Sequence, residues 1–215
     1  MFITTAELIT SISILGTAAF AFSAVLAASE KNTDIFTVAV LGVITAVGGG
    51  STRDVLLNTT VFWSEEMYYI WIAITSSLIG FLSVSLLKKN LVYTVNLYVD
   101  AIAISMFAIQ GTDKAWSLGF GLPLGPIMLG IITAVGGGVI RDILLQRPTL
   151  LLSKELYAIP VALGCTLHAL GLTFAPQYSD ISAIVSALLV FYLRHLSISK
   201  QVQVPRWALI STGKS

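Results

Sequence analysis

The chemistry-bearing residues of this sequence gather in two places: Gly48-Gly49-Gly50 followed by Arg53-Asp54, and Gly136-Gly137-Gly138 followed by Arg141-Asp142. Glycine costs a helix about 1 kcal/mol relative to alanine, so each triplet sets about 3 kcal/mol against continuous helix and a kink or break is expected there. Carbonyls released before a break suit a cation and N–H groups released after it suit an anion; within hydrocarbon each must find a partner. The break alone leaves the sign of the ion open. Close helix packing is the other reading of the same glycines, because small residues let backbones approach. The charged pairs shift the balance toward function. An ionisable side chain inside a bilayer costs about 2.5–3.5 kcal/mol on insertion scales and marks a site by default. Asp54 and Asp142 would favour cations at the ends of a central path, with Arg53 and Arg141 tuning or plugging it. Against this stands a structural role in which both arginines snorkel to headgroups or tie down helix ends. Adjacent residues on a helix point to different faces, so Arg53 and Asp54 are expected to find partners elsewhere.

Other residues join these by position. Thr45, Thr133, Ser23 and Gln110 can line a wet path, though Ser and Thr hydroxyls also bond to their own helix backbone. Asp100 attracts a cation if it lies deep, and is an ordinary helix-start carboxylate if it lies at the rim. Lys114 either biases an entrance or caps its helix, and His168 reads as a packing histidine rather than a proton relay. No nucleophile and base among His168, Cys165 and the aspartates has catalytic spacing, so no enzyme and no cofactor is expected. A single cysteine without a Cys/His pattern excludes a disulfide framework and a zinc site. The absence of GxxxxGK[ST] argues against a phosphate-binding loop.

These residues need membrane helices to hold them. The 215 residues are 56% hydrophobic and only 11% charged, with a mean hydropathy of +0.89, where ordinary soluble chains carry about 25% charge. A soluble enzyme and a nucleic-acid binder are thereby excluded, the latter for want of a basic stripe. Runs free of Asp, Glu, Lys and Arg cover residues 8–29, 35–52, 67–87, 115–140 and 156–179. Residues 90–112 carry only Asp100, and a shorter run covers 181–193. A span needs about 20 residues, so seven transmembrane helices are expected, the fifth beginning near Pro123 and Pro126. The first has no preceding Lys or Arg and does not read as a cleaved signal. Of the twelve Lys and Arg, all but Arg53 and Lys114 fall on one side when alternate loops are summed, namely Lys31, Lys88, Lys89, Arg141, Arg147, Lys154, Arg194, Lys200, Arg206 and Lys214. The positive-inside rule then puts the amino-terminus outside and the carboxy-terminus in the cytoplasm.

The run from Gly42 to Leu57 returns 88 residues later from Gly130 to Leu145, Phe20-Ala-Phe-Ser-Ala24 is echoed by Phe107-Ala-Ile-Gln-Gly111, and Tyr69 aligns with Tyr157. The unit is three helices used twice, and because three is odd the second copy enters the membrane from the other side. The expected architecture is all-α and polytopic, with a first repeat over residues 1–90, a second, inverted repeat over 91–176, a seventh helix over 177–196 and a cytoplasmic tail over 197–215. Inverted repeats with interrupted helices point to a transport path between the halves.

The doubled Gly-x-x-Thr-Ala-Val-Gly-Gly-Gly-x-x-Arg-Asp, with Phe-Ala-x-x-Gly before the second copy, resembles the prokaryotic branch of the trimeric intracellular cation (TRIC) channel family over about residues 10 to 195. The resemblance implies a homotrimer in the cell's inner membrane. Each protomer would pass monovalent cations, chiefly potassium, beside glycine-kinked second and fifth helices. It also implies that Gly48, Gly49, Gly50, Gly136, Gly137 and Gly138 are hinges, with Thr45, Thr133, Arg53, Asp54, Arg141 and Asp142 as the polar positions beside them. The chain departs from the pattern at Ser13, where many bacterial members carry Asp, and at Ala24, where they carry Gly; Asp100 is left without a matched carboxylate. The same branch carries the label of small-amino-acid, glycine-type transporters, so a secondary transporter is the alternative to a channel.

Overall fold

The computed structural model describes residues 5–31, 33–153 and 155–203. Eight α-helices follow one another: α1 (Thr5–Ala28), α2 (Ile35–Leu56), α3 (Phe62–Glu65), α4 (Tyr68–Val84), α5 (Lys89–Ser117), α6 (Leu124–Leu144), α7 (Ala158–Phe174) and α8 (Ser179–Lys200). Among the described residues five stretches, Glu7–Ala28, Ile35–Leu56, Leu91–Ser117, Leu124–Leu144 and Pro176–Lys200, are long and apolar enough to cross a membrane. The other two long helices, α4 and α7, have 17 residues each, which at 1.5 Å per residue is about 25 Å. Side chains are distributed for lipid rather than water. Trp71, Leu82, Phe174 and Leu188 are exposed, while Ser13, Thr17, Asn96, Asp100, Arg141 and His168 are buried. The chain is an all-helical membrane protein.

Local chemistry sets the helix ends. Asp34 caps α2, accepting the Phe36 N–H at 2.9 Å and the Thr37 N–H at 3.0 Å, which supplies two donors the helix leaves free. Pro123 precedes α6 and Pro126 sits in its first turn, as the sequence suggests. The seventh long helix outruns its expected end and continues to Lys200. Residue 203 then folds back to form an antiparallel bridge with Glu155. The remainder of the expected tail, residues 204–215 with Arg206 and Lys214, lies outside the described residues, as do Lys154 and the side chain of Lys89.

The expected helix breaks are absent. Both α2 and α6 are α-helical through their triplets. The preference lost at three glycines is about 3 kcal/mol, but opening the ladder in a nonpolar surround would leave backbone groups unpaired at several kcal/mol each. Packing also favours the helical form. α1 packs on α2 and α4 as α5 packs on α6 and α7, and the two groups meet through α1 against α5 and α2 against α6. At the second contact the glycines give a close crossing. A Cβ on Gly136 would sit 3.2 Å from Gly49 Cα, and one on Gly49 would sit 3.2 Å from the Gly137 nitrogen.

Candidate functional site

Arg53 and Asp54 lie in the last turn of α2, and both are 0% exposed. They pair with each other, contrary to the expectation from helix geometry: Arg53 Nε donates to Asp54 Oδ1 at 2.8 Å and Nη2 lies 2.7 Å from the same oxygen. Adjacent Cβ atoms diverge, but a guanidinium on a three-carbon stem is long enough to fold back across one residue. Each residue also reaches farther. Arg53 Nη1 donates to Gln110 Oε1 on α5, and its guanidinium lies 5.8 Å from the Phe62 ring centre. Lys114, 29% exposed at the end of α5, donates to Asp54 Oδ1 at 2.8 Å, while Asp54 Oδ2 accepts the Phe62 N–H at 2.9 Å. Lys114 is therefore an ion-pair partner and not merely a cap.

The second copy repeats the pattern with other partners. Arg141 Nε donates to Asp142 Oδ1 at 2.8 Å, and Arg141 Nη1 donates to Asp100 Oδ1 at 2.8 Å and to Ser23 Oγ. Arg147 Nε lies 3.4 Å from Asp142 Oδ1, and Asp142 Oδ2 accepts the Leu150 N–H at 3.1 Å. Asp100 is buried and ion-paired rather than at a helix rim. Ser23 and Gln110, matched in the repeat, are thus the matched acceptors of Arg141 and Arg53. Thr45 and Thr133 are spent on their own helices, their hydroxyls donating to the Leu41 carbonyl at 2.8 Å and the Leu129 carbonyl at 2.5 Å.

The two charge clusters therefore flank the glycine crossing of α2 and α6, and α5 reaches both, with Asp100 at one and Lys114 at the other. Outside this frame, His168 is buried with Nδ1 3.0 Å from Ser182 Oγ and Nε2 3.7 Å from Asp113 Oδ1, tying α7 to α8 and α5 as a packing histidine would.

A family profile described as "Glycine transporter" matches residues 10–85 and 97–173, leaving the α4–α5 junction between its two parts. The UPF0126 inner membrane protein YadS of Escherichia coli (strain K12) is 32% identical over 202 residues, covering 94% of this chain and 97% of its own. The chain belongs to the UPF0126 family of TRIC-like membrane proteins. Among solved structures of similar fold, the TRIC trimeric intracellular cation channel orthologue from Rhodobacter sphaeroides is 28% identical with a TM-score of 0.85, over 90% of this chain and 98% of that one. A structure described as the basis for conductance through TRIC cation channels is 33% identical with a TM-score of 0.80, over 94% of this chain and 98% of that one. The resemblance read from the doubled motif is thus a family membership.

Within this UPF0126 chain the sequence reading missed several buried partners. Arg194 is fully buried on α8, donates from Nη1 to the Leu156 carbonyl at 2.9 Å, lies 3.5 Å from Glu155 and stands 5.1 Å over the Tyr157 ring. Its place just past the last uncharged run made it look like a helix-end cation. Phe62 and Leu150 were also missed. Their spacing of eight residues from Asp54 and Asp142 is the one signal that could have found them.

Proposed function

We propose that this chain is a monovalent cation channel, permeable to potassium, with a path in each protomer of a homotrimer along the α2–α6 crossing. The reading is carried by one observation: matched Arg–Asp clusters stand at the two ends of a crossing built from glycine. In this reading α4 and α7 also span, with the bilayer thinning locally around their shorter lengths, giving seven spans. Residues 1–90 and 91–176 are then inverted halves. Support for the inversion comes from the ends that meet: Lys114 near the end of α5 reaches Asp54 near the end of α2, whereas Asp100 in the first half of α5 reaches Arg141 near the end of α6. The amino-terminus lies outside, the carboxy-terminus lies in the cytoplasm, and the membrane is the cell's inner membrane. Carboxylates Asp54, Asp100 and Asp142 favour cations, and the paired arginines offset part of that charge so that a cation is not held too tightly to leave. With both helices continuous, Gly48, Gly49, Gly50, Gly136, Gly137 and Gly138 act by letting α2 and α6 part rather than by bending at broken turns, and Thr45 and Thr133 then offer backbone carbonyls to the opened path.

The description of the matching family profile favours a second reading, a secondary transporter of small amino acids such as glycine. Purified protein reconstituted in planar bilayers and in vesicles separates the two. A channel gives unitary potassium currents and no saturable glycine uptake. Saturable, analogue-inhibited glycine uptake without unitary currents would overturn the channel reading.

A further inference from the structure

The turns that follow α2 and α6 are built alike but deliver different side chains. Leu57 and Leu145 end the helices, the next residues are left-handed (Asn58 φ 53°, Gln146 φ 51°), and the aspartate of each pair accepts the N–H eight residues on. At the Asp54 end the delivered residue is Phe62. Its ring lies on Gly50, where an added Cβ would sit 2.6 Å from the ring's Cε1. It meets Tyr69 edge-on at 4.8 Å and 73°, with the Arg53 guanidinium 5.8 Å from its centre. Trp63 donates its indole N–H to Ser51 Oγ at 2.9 Å, so α3 is tied to α2 at two points. The other end is polar. A Cβ on Gly138 would meet the Tyr157 hydroxyl at 3.0 Å, Asp100 Oδ1 at 3.5 Å and Arg141 Nη2 at 3.6 Å.

We infer that Phe62 is the plug of the path at the Asp54 end, held shut by the Asp54 and Trp63 ties, while at the Asp100 end the group facing the matched glycine is the Tyr157 hydroxyl. This rests on the channel reading above. An apolar constriction blocks ions because water leaves it, and Phe62 is an aromatic laid against bare helix backbone at one end of the crossing. Gly50 is glycine because the ring needs that space, and releasing α3 from Ser51 and Asp54 withdraws the ring.

The test has two independent readouts. In planar bilayers Phe62→Ala is expected to raise open probability about tenfold at fixed voltage. Trp63→Phe, which keeps the ring and loses the tie, is expected to raise it about threefold. The second readout needs no current. Thr45→Cys is placed in a Cys165→Ser background, and its modification by a membrane-impermeant cationic methanethiosulfonate added only on the Asp54 side is timed with and without Phe62→Ala. The rate is expected to rise at least tenfold without the ring. Phe62→Leu, which keeps apolar bulk, provides a folded intermediate with smaller increases in both readouts should the alanine variant fail to assemble. Unchanged labelling in Phe62→Ala, or in Phe62→Leu if only that folds, overturns the plug. If the wild type passes no current yet labelling rises, the channel reading fails and the plug stands.

Discussion

Replacing the middle glycine of a triplet distinguishes a hinge from a packed crossing by the sign of the effect. A Cβ on Gly49 would fall well inside 3.0 Å of the Thr133 carbonyl oxygen, with the carbonyl carbon at 3.1 Å and the Gly137 nitrogen at 3.2 Å. All three atoms are backbone, so the helices themselves must move apart, by about 1 Å, to restore ordinary contact. Overpacking costs about 1–3 kcal/mol, and with no side chain able to swing aside this site falls in the upper part of that range, about 2–3 kcal/mol, against a gain of about 1 kcal/mol from helix preference. The net loss for Gly49→Ala is therefore about 1–2 kcal/mol, which at 2–4 °C per kcal/mol lowers Tm by roughly 2–8 °C. Gly48→Ala is the control. Its Cβ meets chiefly the Ile140 Cδ1 tip at 2.9 Å, which can rotate away, so Tm should hold or rise slightly. Thermal unfolding of the purified, detergent-solubilised protein followed by tryptophan fluorescence gives both numbers. If the triplets act by helix flexibility alone, every alanine stabilises. A Gly49→Ala protein as stable as wild type, or a Gly48→Ala protein equally damaged, would refute the packed-crossing account.

Three further outcomes are expected. Asp100→Asn leaves buried Arg141 with Asp142 as its carboxylate partner; breaking such a pair costs about 3–5 kcal/mol, and the remaining partner keeps the loss near about 3, read as a fall in Tm accompanied by lower potassium current. Asp34→Ala removes the α2 cap. Hydrogen bonds from the Thr37 hydroxyl and the Thr37 and Phe36 N–H groups hold the Asp34 carboxyl below its ordinary value of 3.8, so its stabilisation is full above pH 3.8 and fades as the folded-state group protonates below it. The Tm gap between wild type and Asp34→Ala should accordingly narrow when measured at successively lower pH through that range; a gap independent of pH contradicts the cap. Arg194→Ala strips a donor from the Leu156 carbonyl and a cation from Glu155, worth about 1–3 kcal/mol, and faster amide exchange at residues 155–157 and 201–203 by mass spectrometry would register the loosened contact.

The uncharged gaps located the long helices because lipid forbids charge along a span, and that constraint is local in sequence. The repeat was legible for the same reason, since Gly42 to Leu57 and Gly130 to Leu145 must make the same turn. What failed to read was tertiary. Helix preference argued for breaks at the triplets, and the opposing helix, which the preference scale does not include, outweighed it. The Arg53–Asp54 pair was misjudged from Cβ directions, which do not limit a long guanidinium. Phe62 and Leu150 escaped because they enter through their backbone N–H groups, and any residue type can donate one. Ser23 and Gln110 were legible as matched polar positions, yet their role as arginine acceptors emerges only when α1 and α5 pack.

The two copies hold the same Arg–Asp pair by different means, and the difference gives α5 a role that neither copy reveals alone. One cluster contains Arg53, Lys114 and Asp54, for a formal charge of +1; the other contains Arg141, Arg147, Asp100 and Asp142, for a charge of 0. At the first, α5 brings the cation; at the second, it brings an anion. Shifting α5 along its axis against α2 and α6 must therefore strain ion pairs at both clusters together, and a severed buried pair is expensive in low dielectric. The α2–α6 crossing carries no such lock, because its contact surface is glycine and backbone. Because α5 is tied to both, sliding α2 past α6 would strain those pairs as well, and the two helices part at least cost by swinging about their anchored ends. A path that opens at the crossing while α5 stays anchored preserves both charge clusters, which is the arrangement a selective route needs if its charged ends are to survive opening.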